Sequence, residues 1–342
     1  YQHSEFHLHS EIDGNEDQLD LSVLSDGRIA AVWRRQPPIM QSVPPTEIHM
    51  RVFDNDGGIS VAEAIAPYSL STSAWVPRVV PRDGGAGYMV SWGRDNAAST
   101  QLEMRPFAHD GQGPSANTWI AGGYPNSSVH SWDMASTTSL DEVVHVWSQG
   151  YDANIYARRY SADGSVINPP GLITVSTGNG HDEPRVAQWD SGAFVVVWED
   201  TNGQIGSGPS VVARIYDSDG APAGEPFVIE ESQWMGQLES PDVAVINATG
   251  QFVVVWLRTD PFRTNEYGVY GRKYNADGGP QGAVFEVRAS TSVAARSPVV
   301  AIDENDLIAV AWENNGNIQA RAFEPNSAEP ASAPVPMGSS FM

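Results

Sequence analysis

An apolar run closed by tryptophan occurs six times in this chain, and no other feature narrows the fold so far. The copies read GRIAAVW to Trp33, GYMVSW to Trp92, EVVHVW to Trp147, AFVVVW to Trp198, QFVVVW to Trp256 and LIAVAW to Trp312. Successive tryptophans lie 59, 55, 51, 58 and 56 residues apart. A period of this length marks a repeat architecture. After each Trp comes an Arg two residues before an aromatic: Arg51/Phe53, Arg105/Phe107, Arg158/Tyr160, Arg214/Tyr216, Arg272/Tyr274 and Arg321/Phe323. Strand alternation puts such a pair on one face. A short segment of the FVIEE type and a segment of the SPDVAVI type complete the unit.

Each unit therefore reads as four short strands: A (SPDVAVI type), B (ending in Trp), C (carrying Arg) and D (FVIEE type). β-Branched and aromatic residues dominate, and no segment sustains a 3.6-residue period. One four-stranded sheet cannot bury both its faces, but radial packing against two neighbours can. The sequence predicts an all-β six-bladed β-propeller of four-stranded antiparallel blades over residues 1–325. A Pro/Ala/Ser-rich tail or linker is expected at 326–342. Phe6 and Leu8 align with Phe227 and Ile229 of a D strand. The N-terminal strand is thus expected to complete the last blade and close the ring, covering an edge that would otherwise be open. The competing occupant is SAPVPMGSS, in D register with its own blade. There Pro334 and Pro336 remove amide donors, which suits only an edge.

Bulk composition removes several partner classes. The net charge of -23 repels phosphate backbones and anionic headgroups, so nucleic acid is excluded as a partner. No apolar run of membrane-spanning length is present, so no membrane insertion is expected. There is no cysteine for disulfides or thiolate metal sites. The segment from Tyr1 has no signal-peptide pattern, so any leader is expected to have been removed already.

The terminal Trp residues and the repeated Arg residues read as packing and pairing groups, because every copy has them. The DNDGG, DSDGA and NADGG segments lack the closing Glu of a twelve-residue calcium loop, so they read as hairpin turns. No cofactor is predicted, with calcium at these turns as the alternative. Specialisation is expected at the end carrying the B–C loops and D–A crossings, since the B–C loops differ from copy to copy. Trp75, Trp132 and Trp234 lie there outside the repeated Trp position. With His181, Asp182, Glu183, Glu239, Arg296, Arg34, Arg94 and Arg258 they form the predicted ligand-binding set, suited to a glycan or a protein. A hydrolytic alternative pairs Glu183 with Glu239, read as equivalent carboxylates in adjacent copies. His181, Asp182 and Glu183 offer a metal alternative. His3, joined by the N-terminal amine, and His7 with His9 on one strand face are further metal candidates. No nucleophile elbow, HExxH or phosphate loop occurs.

The units resemble the Gly-x-Phe-x-Val-x-Trp … Arg-x-Tyr-x-x-Asp-Gly repeats of large secreted bacterial proteins, many of them adhesin-like and RTX-associated. The resemblance covers residues 5–323 and implies a secreted or periplasmic location. The RTX calcium repeats themselves are absent. The expected function is a non-catalytic binding or adhesion propeller, and enzymatic activity is disfavoured. The alternatives are a carbohydrate-active enzyme (a polysaccharide lyase or glycoside hydrolase) and a subunit self-assembling through its terminal strands.

Overall fold

The computed structural model describes residues 15–36, 46–65, 74–82, 87–95, 100–113, 119–120, 128–137, 139–140, 142–161, 163–167, 172–232, 237–259, 266–303, 305–324 and 335–336. Among them there is no helix, hence none long and apolar enough to cross a membrane. Six four-stranded antiparallel sheets form the six blades of a β-propeller.

Blade 1 comprises β1 (Asn15–Val23), β2 (Ile29–Gln36), β3 (Glu47–Phe53) and β4 (Ile59–Ile65). Blade 2 comprises β5 (Ala74–Arg82), β6 (Gly87–Asp95), β7 (Thr100–Phe107) and β8 (Trp119–Ile120). Blade 3 comprises β9 (Val129–Ser136), β10 (Glu142–Gln149), β11 (Asn154–Ser161) and β12 (Ile173–Ser176). Blade 4 comprises β13 (His181–Gln188), β14 (Phe194–Asp200), β15 (Ser210–Tyr216) and β16 (Phe227–Glu231). Blade 5 comprises β17 (Leu238–Ile246), β18 (Gln251–Thr259), β19 (Tyr267–Tyr274) and β20 (Pro280–Thr291). Blade 6 comprises β21 (Ala295–Ile302), β22 (Ile308–Asn314), β23 (Asn317–Phe323) and β24 (Val335–Pro336). In each blade the strands follow the predicted A, B, C, D order.

The fourth strand of blade 6 corrects the expected closure. Val335 pairs with Ala320 and Pro336 with Gln319, so the outer strand comes from the segment expected to be a tail. An edge strand tolerates a proline whose missing N–H would face outward. The expected occupants Phe6 and Leu8 lie outside the described residues.

Two compact units divide the chain, Tyr1–Gly150 with Ala157–Leu172, and Tyr151–Tyr156 with Ile173–Met342. In the first, Val32, Met50 and Val52 of blade 1 pack with Tyr88, Val90 and Trp92 of blade 2. In the second, Val195, Val197 and Ala213 of blade 4 pack with Phe252, Val254 and Trp256 of blade 5. A further cluster joins Val253, Val255 and Val269 of blade 5 to Val300, Val310 and Trp312 of blade 6. A B strand thus meets a neighbour on both faces. This is why it reads as a continuous apolar run and not as an alternating one, and why all of β14 is buried.

All six terminal Trp residues are buried, Trp33 being the most accessible at 3%. The repeated Arg is structural too. Arg214 lies 5.7 Å from the Tyr216 ring and Arg272 lies 5.8 Å from that of Tyr274. These rings stack in turn on Phe194 (4.7 Å) and Phe252 (5.1 Å) of strand B. Two of the repeated guanidinium groups reach the preceding D strand. Arg214 Nη1 donates to the Val175 carbonyl (3.3 Å) and Arg321 Nη1 to the Val287 carbonyl (2.7 Å). The Asp-Gly turns use their carboxylates locally: Asp56, Asp110, Asp163, Asp217 and Asp277 each accept a backbone N–H two residues on.

Trp132, expected to bind ligand, is 2% exposed. Its ring lies where a Cβ on Gly93 of blade 2 would stand. Gly93→Val is therefore expected to destabilise the fold by about 1–3 kcal/mol through overpacking. A urea midpoint unchanged from wild type would refute this close approach.

Candidate active site

Strand A carries the same irregularity in five blades. Its pairing with strand B slips between Asp17 and Asp20, Trp75 and Arg78, Asp182 and Arg185, Glu239 and Asp242, and Arg296 and Val299. Inside each slip a residue other than glycine has positive φ: Gln18 (54°), Val76 (45°), Glu183 (47°), Ser240 (51°) and Ser297 (45°). Such strain costs of order 1–3 kcal/mol and persists only where the surroundings impose it. Proline follows in four of the five, as Pro77, Pro184, Pro241 and Pro298. At a bulge it removes no ladder hydrogen bond.

Two bulge amides take their acceptor from the preceding blade. Val76 N–H donates to Gln18 Oε1 (2.7 Å), and Ser240 N–H donates to Glu199 Oε1 (2.6 Å). Three residues past the bulge, Val79 N–H donates to Asp20 Oδ2 (2.8 Å) and Val300 N–H to Asp242 Oδ2 (2.7 Å). Side-chain oxygens of one blade, from Gln18, Asp20 and Asp242 on strand A and from Glu199 on strand B, thus hold strand A backbone amides of the next.

Glu199 differs from the other stitching groups in its company. It follows Trp198 on β14, is 8% exposed, and stands opposite Asp182 in the β13–β14 register. Burial pushes its carboxyl up to about 8, and the Glu183 charge adds to this. The Ser240 amide pulls the other way, while Glu239 and Asp182 push up again. Glu239 is itself raised, by burial first and by Glu183 second. Glu183 is the open member, 39% exposed, with Arg185 Nη2 3.9 Å from its Oε2. A proton-holding carboxylic acid beside an ionised carboxylate is the pairing that acid–base chemistry needs.

Glu183 and Glu239 do meet around one site, yet they are not equivalents. In register, Asp182 faces Glu199 and Glu239 faces Leu257. The counterpart of Glu239 is therefore Asp182, and that of Glu183 is the bulge residue Ser240. Sequence equivalence is off by one residue here, because the bulge hides the strand's true phase. Glu199, the most perturbed of the group, was absent from the predicted set. Its signal was the residue after the terminal Trp, which is acidic only at Glu199 and Glu313.

The other predicted residues disperse. His181 is fully buried with Nε2 3.7 Å from Asp200 Oδ1, and burial lowers its pKa. Arg34 is bonded to Asp17, and Arg94 lies 2.7 Å from Glu103. Arg258 pairs with Glu230 and covers the Tyr270 ring at 4.2 Å. These three guanidinium groups are committed to structure. Trp75 is half-buried, opposite Gly93 in register. Arg296 is exposed on β21. Trp234, His3, His7 and His9 lie outside the described residues. Among those described, no group of three or more His, Asp or Glu is arranged to hold a metal ion.

No protein-family description matches the chain, and no curated protein matches it. Solved structures do. The chain is similar to the NanB sialidase from Streptococcus pneumoniae with a TM-score of 0.59 at 10% identity, covering 94% of this chain and 70% of that one. It is similar to an α-L-arabinofuranosidase from Fusarium graminearum with a TM-score of 0.55 at 15% identity, covering 90% and 92%. It is also similar to an α-L-arabinanase from Penicillium chrysogenum with a TM-score of 0.52 at 11% identity, covering 90% and 92%. At these identities the likeness is one of fold. The names of these structures nevertheless overturn the expectation of a non-catalytic adhesion propeller, since they favour the carbohydrate-active alternative.

Proposed function

We propose that this chain is a carbohydrate-active enzyme that hydrolyses glycosidic bonds, with Glu199 as the proton donor and the carboxylates of Glu183 and Glu239 as its partners. The observation that carries this reading is that three glutamates from two adjacent blades lie close enough for their charges to act on one another, one of them buried and tied to a strained backbone amide. Glycoside cleavage needs one carboxylic acid to protonate the leaving oxygen. It needs a second, ionised carboxylate to activate water or to attack the sugar. Burial of Glu199 and exposure of Glu183 separate those roles. The fold shared with a sialidase, an arabinofuranosidase and an arabinanase supports the same reading.

The charge of the site bears on the substrate. Asp182, Glu183, Glu199 and Glu239 crowd together in a chain of net charge -23. An anionic sugar needs a guanidinium or ammonium partner; Arg34, Arg94 and Arg258 are already paired, Arg185 lies against Glu183, and of the predicted arginines Arg296 alone is exposed, against four clustered carboxyl groups. Neutral or basic glycans outside the cell are the substrates proposed. Elimination from a uronate is disfavoured for the same reason. The test is release of reducing ends from a panel of neutral, basic and acidic polysaccharides and aryl glycosides. Turnover of neutral or basic members is expected. Turnover confined to acidic members, or appearing as unsaturated products, would overturn the proposal, as would no turnover at all.

A further inference from the structure

At the other end of blade 4, the A–B hairpin of blade 4 meets both hairpins of blade 5 around a cavity of about 250 Å³. Trp189, Ala193, Ile215 and Ala276 supply its apolar lining, and Asp190, Ser191 and Asn247 its polar groups. β14 runs from this end to Glu199, five residues from Phe194. At about 3.3 Å per residue the cavity and the glutamates are about 17 Å apart.

The cavity occurs where the repeat departs from itself. The five-residue hairpin that begins at Trp189 closes by Trp189 N–H donating to the Ala193 carbonyl (2.9 Å). The same turn begins at Leu24 in blade 1 and at Asp303 in blade 6. Trp189 is therefore not required by the turn. Its ring is held edge-on to Phe252 at 5.9 Å, and its Nε1 donates to the Gln251 carbonyl (3.3 Å). Blade 5 closes its hairpin differently, with Gly250 N–H donating to the Ile246 carbonyl (2.9 Å), which brings Asn247 toward blade 4. There Asn247 Oδ1 accepts from Asp190 N–H at 2.8 Å. That bond fixes the amide and leaves its Nδ2 as a donor, while the Ser191 hydroxyl accepts from the Ala193 N–H (3.4 Å).

We infer that this cavity is a second, non-catalytic glycan subsite that holds a single neutral pyranose ring. Its volume is below the range of drug-sized pockets, which suits one ring. A pyranose has an apolar C–H face for the indole and aliphatic wall, and hydroxyls on adjacent carbons for a carboxylate acceptor beside an amide donor. Asp190, Ser191 and Asn247 stand on the exposed rim of the cavity, where they can meet the hydroxyls at the ring's edge while its C–H face lies on the apolar wall. The inference goes beyond the proposed hydrolysis and does not depend on it.

The test is made in Glu199→Gln protein, so that turnover does not enter. Methyl glycosides of glucose, galactose, mannose and N-acetylglucosamine are titrated by saturation-transfer NMR and tryptophan fluorescence. At least one is expected to bind saturably. Binding is expected to weaken at least tenfold in Ala276→Leu, which fills the cavity from an exposed turn, and in Asn247→Ala, which removes the donor. In an otherwise wild-type chain, Ala276→Leu is expected to leave turnover of small aryl glycosides unchanged. Saturable binding that Ala276→Leu does not alter, or no binding of any member of the panel, would overturn the subsite. Either result would leave the hydrolytic proposal standing.

Discussion

Glu199→Gln is expected to cut glycoside hydrolysis by about 10²–10⁴-fold, the usual worth of a positioned proton donor. Gln keeps an oxygen for the Ser240 N–H, so the hydrogen bond of 2.6 Å between blades is retained while the acidic proton is lost. Substrates with activated leaving groups, such as dinitrophenyl glycosides, need no proton and are expected to lose far less. In wild type the rate on unactivated substrates should fall as pH rises through about 8, where Glu199 ionises. A variant that loses activity equally on both substrate types would show that Glu199 only holds the blades together.

The second large effect is on stability. Glu199 holds its proton more tightly in the folded chain, at about 8, than in the unfolded chain, near 4.5. Its stabilising contribution is complete below 4.5 and is lost as pH rises through about 8. His145 runs the other way. It is fully buried, and burial lowers it from 6.5 to about 3. Its contribution is complete above 6.5 and is lost as pH falls toward 3. Each displacement corresponds to about 5 kcal/mol at full extent, a large fraction of the stability of a typical domain. The expected profile of melting temperature is a plateau between about 4.5 and 6.5 that falls on both sides. Glu199→Gln should flatten the alkaline side to the share left by Glu239, Glu103 and Asp20, which burial also raises. His145→Val should flatten the acid side to the share left by His181, which burial lowers, and by Asp26, Asp163 and Asp303, which hydrogen bonds lower. Valine or alanine stands at this place in the other five blades, at Ala31, Val90, Val196, Val254 and Val310. If neither variant changes its side of the profile, the assignment of pH sensitivity to these two groups fails.

His145 also shows how legible the fold was. A histidine inside an otherwise apolar run did not break the repeat, because Ser91 of the neighbouring blade meets it at 3.4 Å. The six Trp runs, the Arg–aromatic pairs and the Asp-Gly turns were each readable as local chemistry. Each depends on alternation within a strand or on a turn of a few residues. The site was less legible. Pairing Glu183 with Glu239 rests on a false equivalence, since an extra residue at positive φ shifts the strand by one. Glu199 falls at the variable end but stays outside the predicted ligand set, because nothing in AFVVVWED says that its carboxylate will reach the next blade. Arg34, Arg94 and Arg258 looked like ligand groups only until their partners Asp17, Glu103 and Glu230 came into view.

The order of residues by itself determined the number of blades, the four strands of each and the burial of their middle strands, because side-chain periodicity and turn chemistry are local properties. Tertiary structure alone decided that blade 6 ends in Val335–Pro336, that Trp132 fills space beside Gly93, and that Glu199 sits among other carboxylates. Those outcomes depend on which blade lies beside which and on where a strand bulges. Desolvation and charge then act between residues distant in the chain, such as Glu199 and Glu239, and the spacing within a repeat carries no record of it.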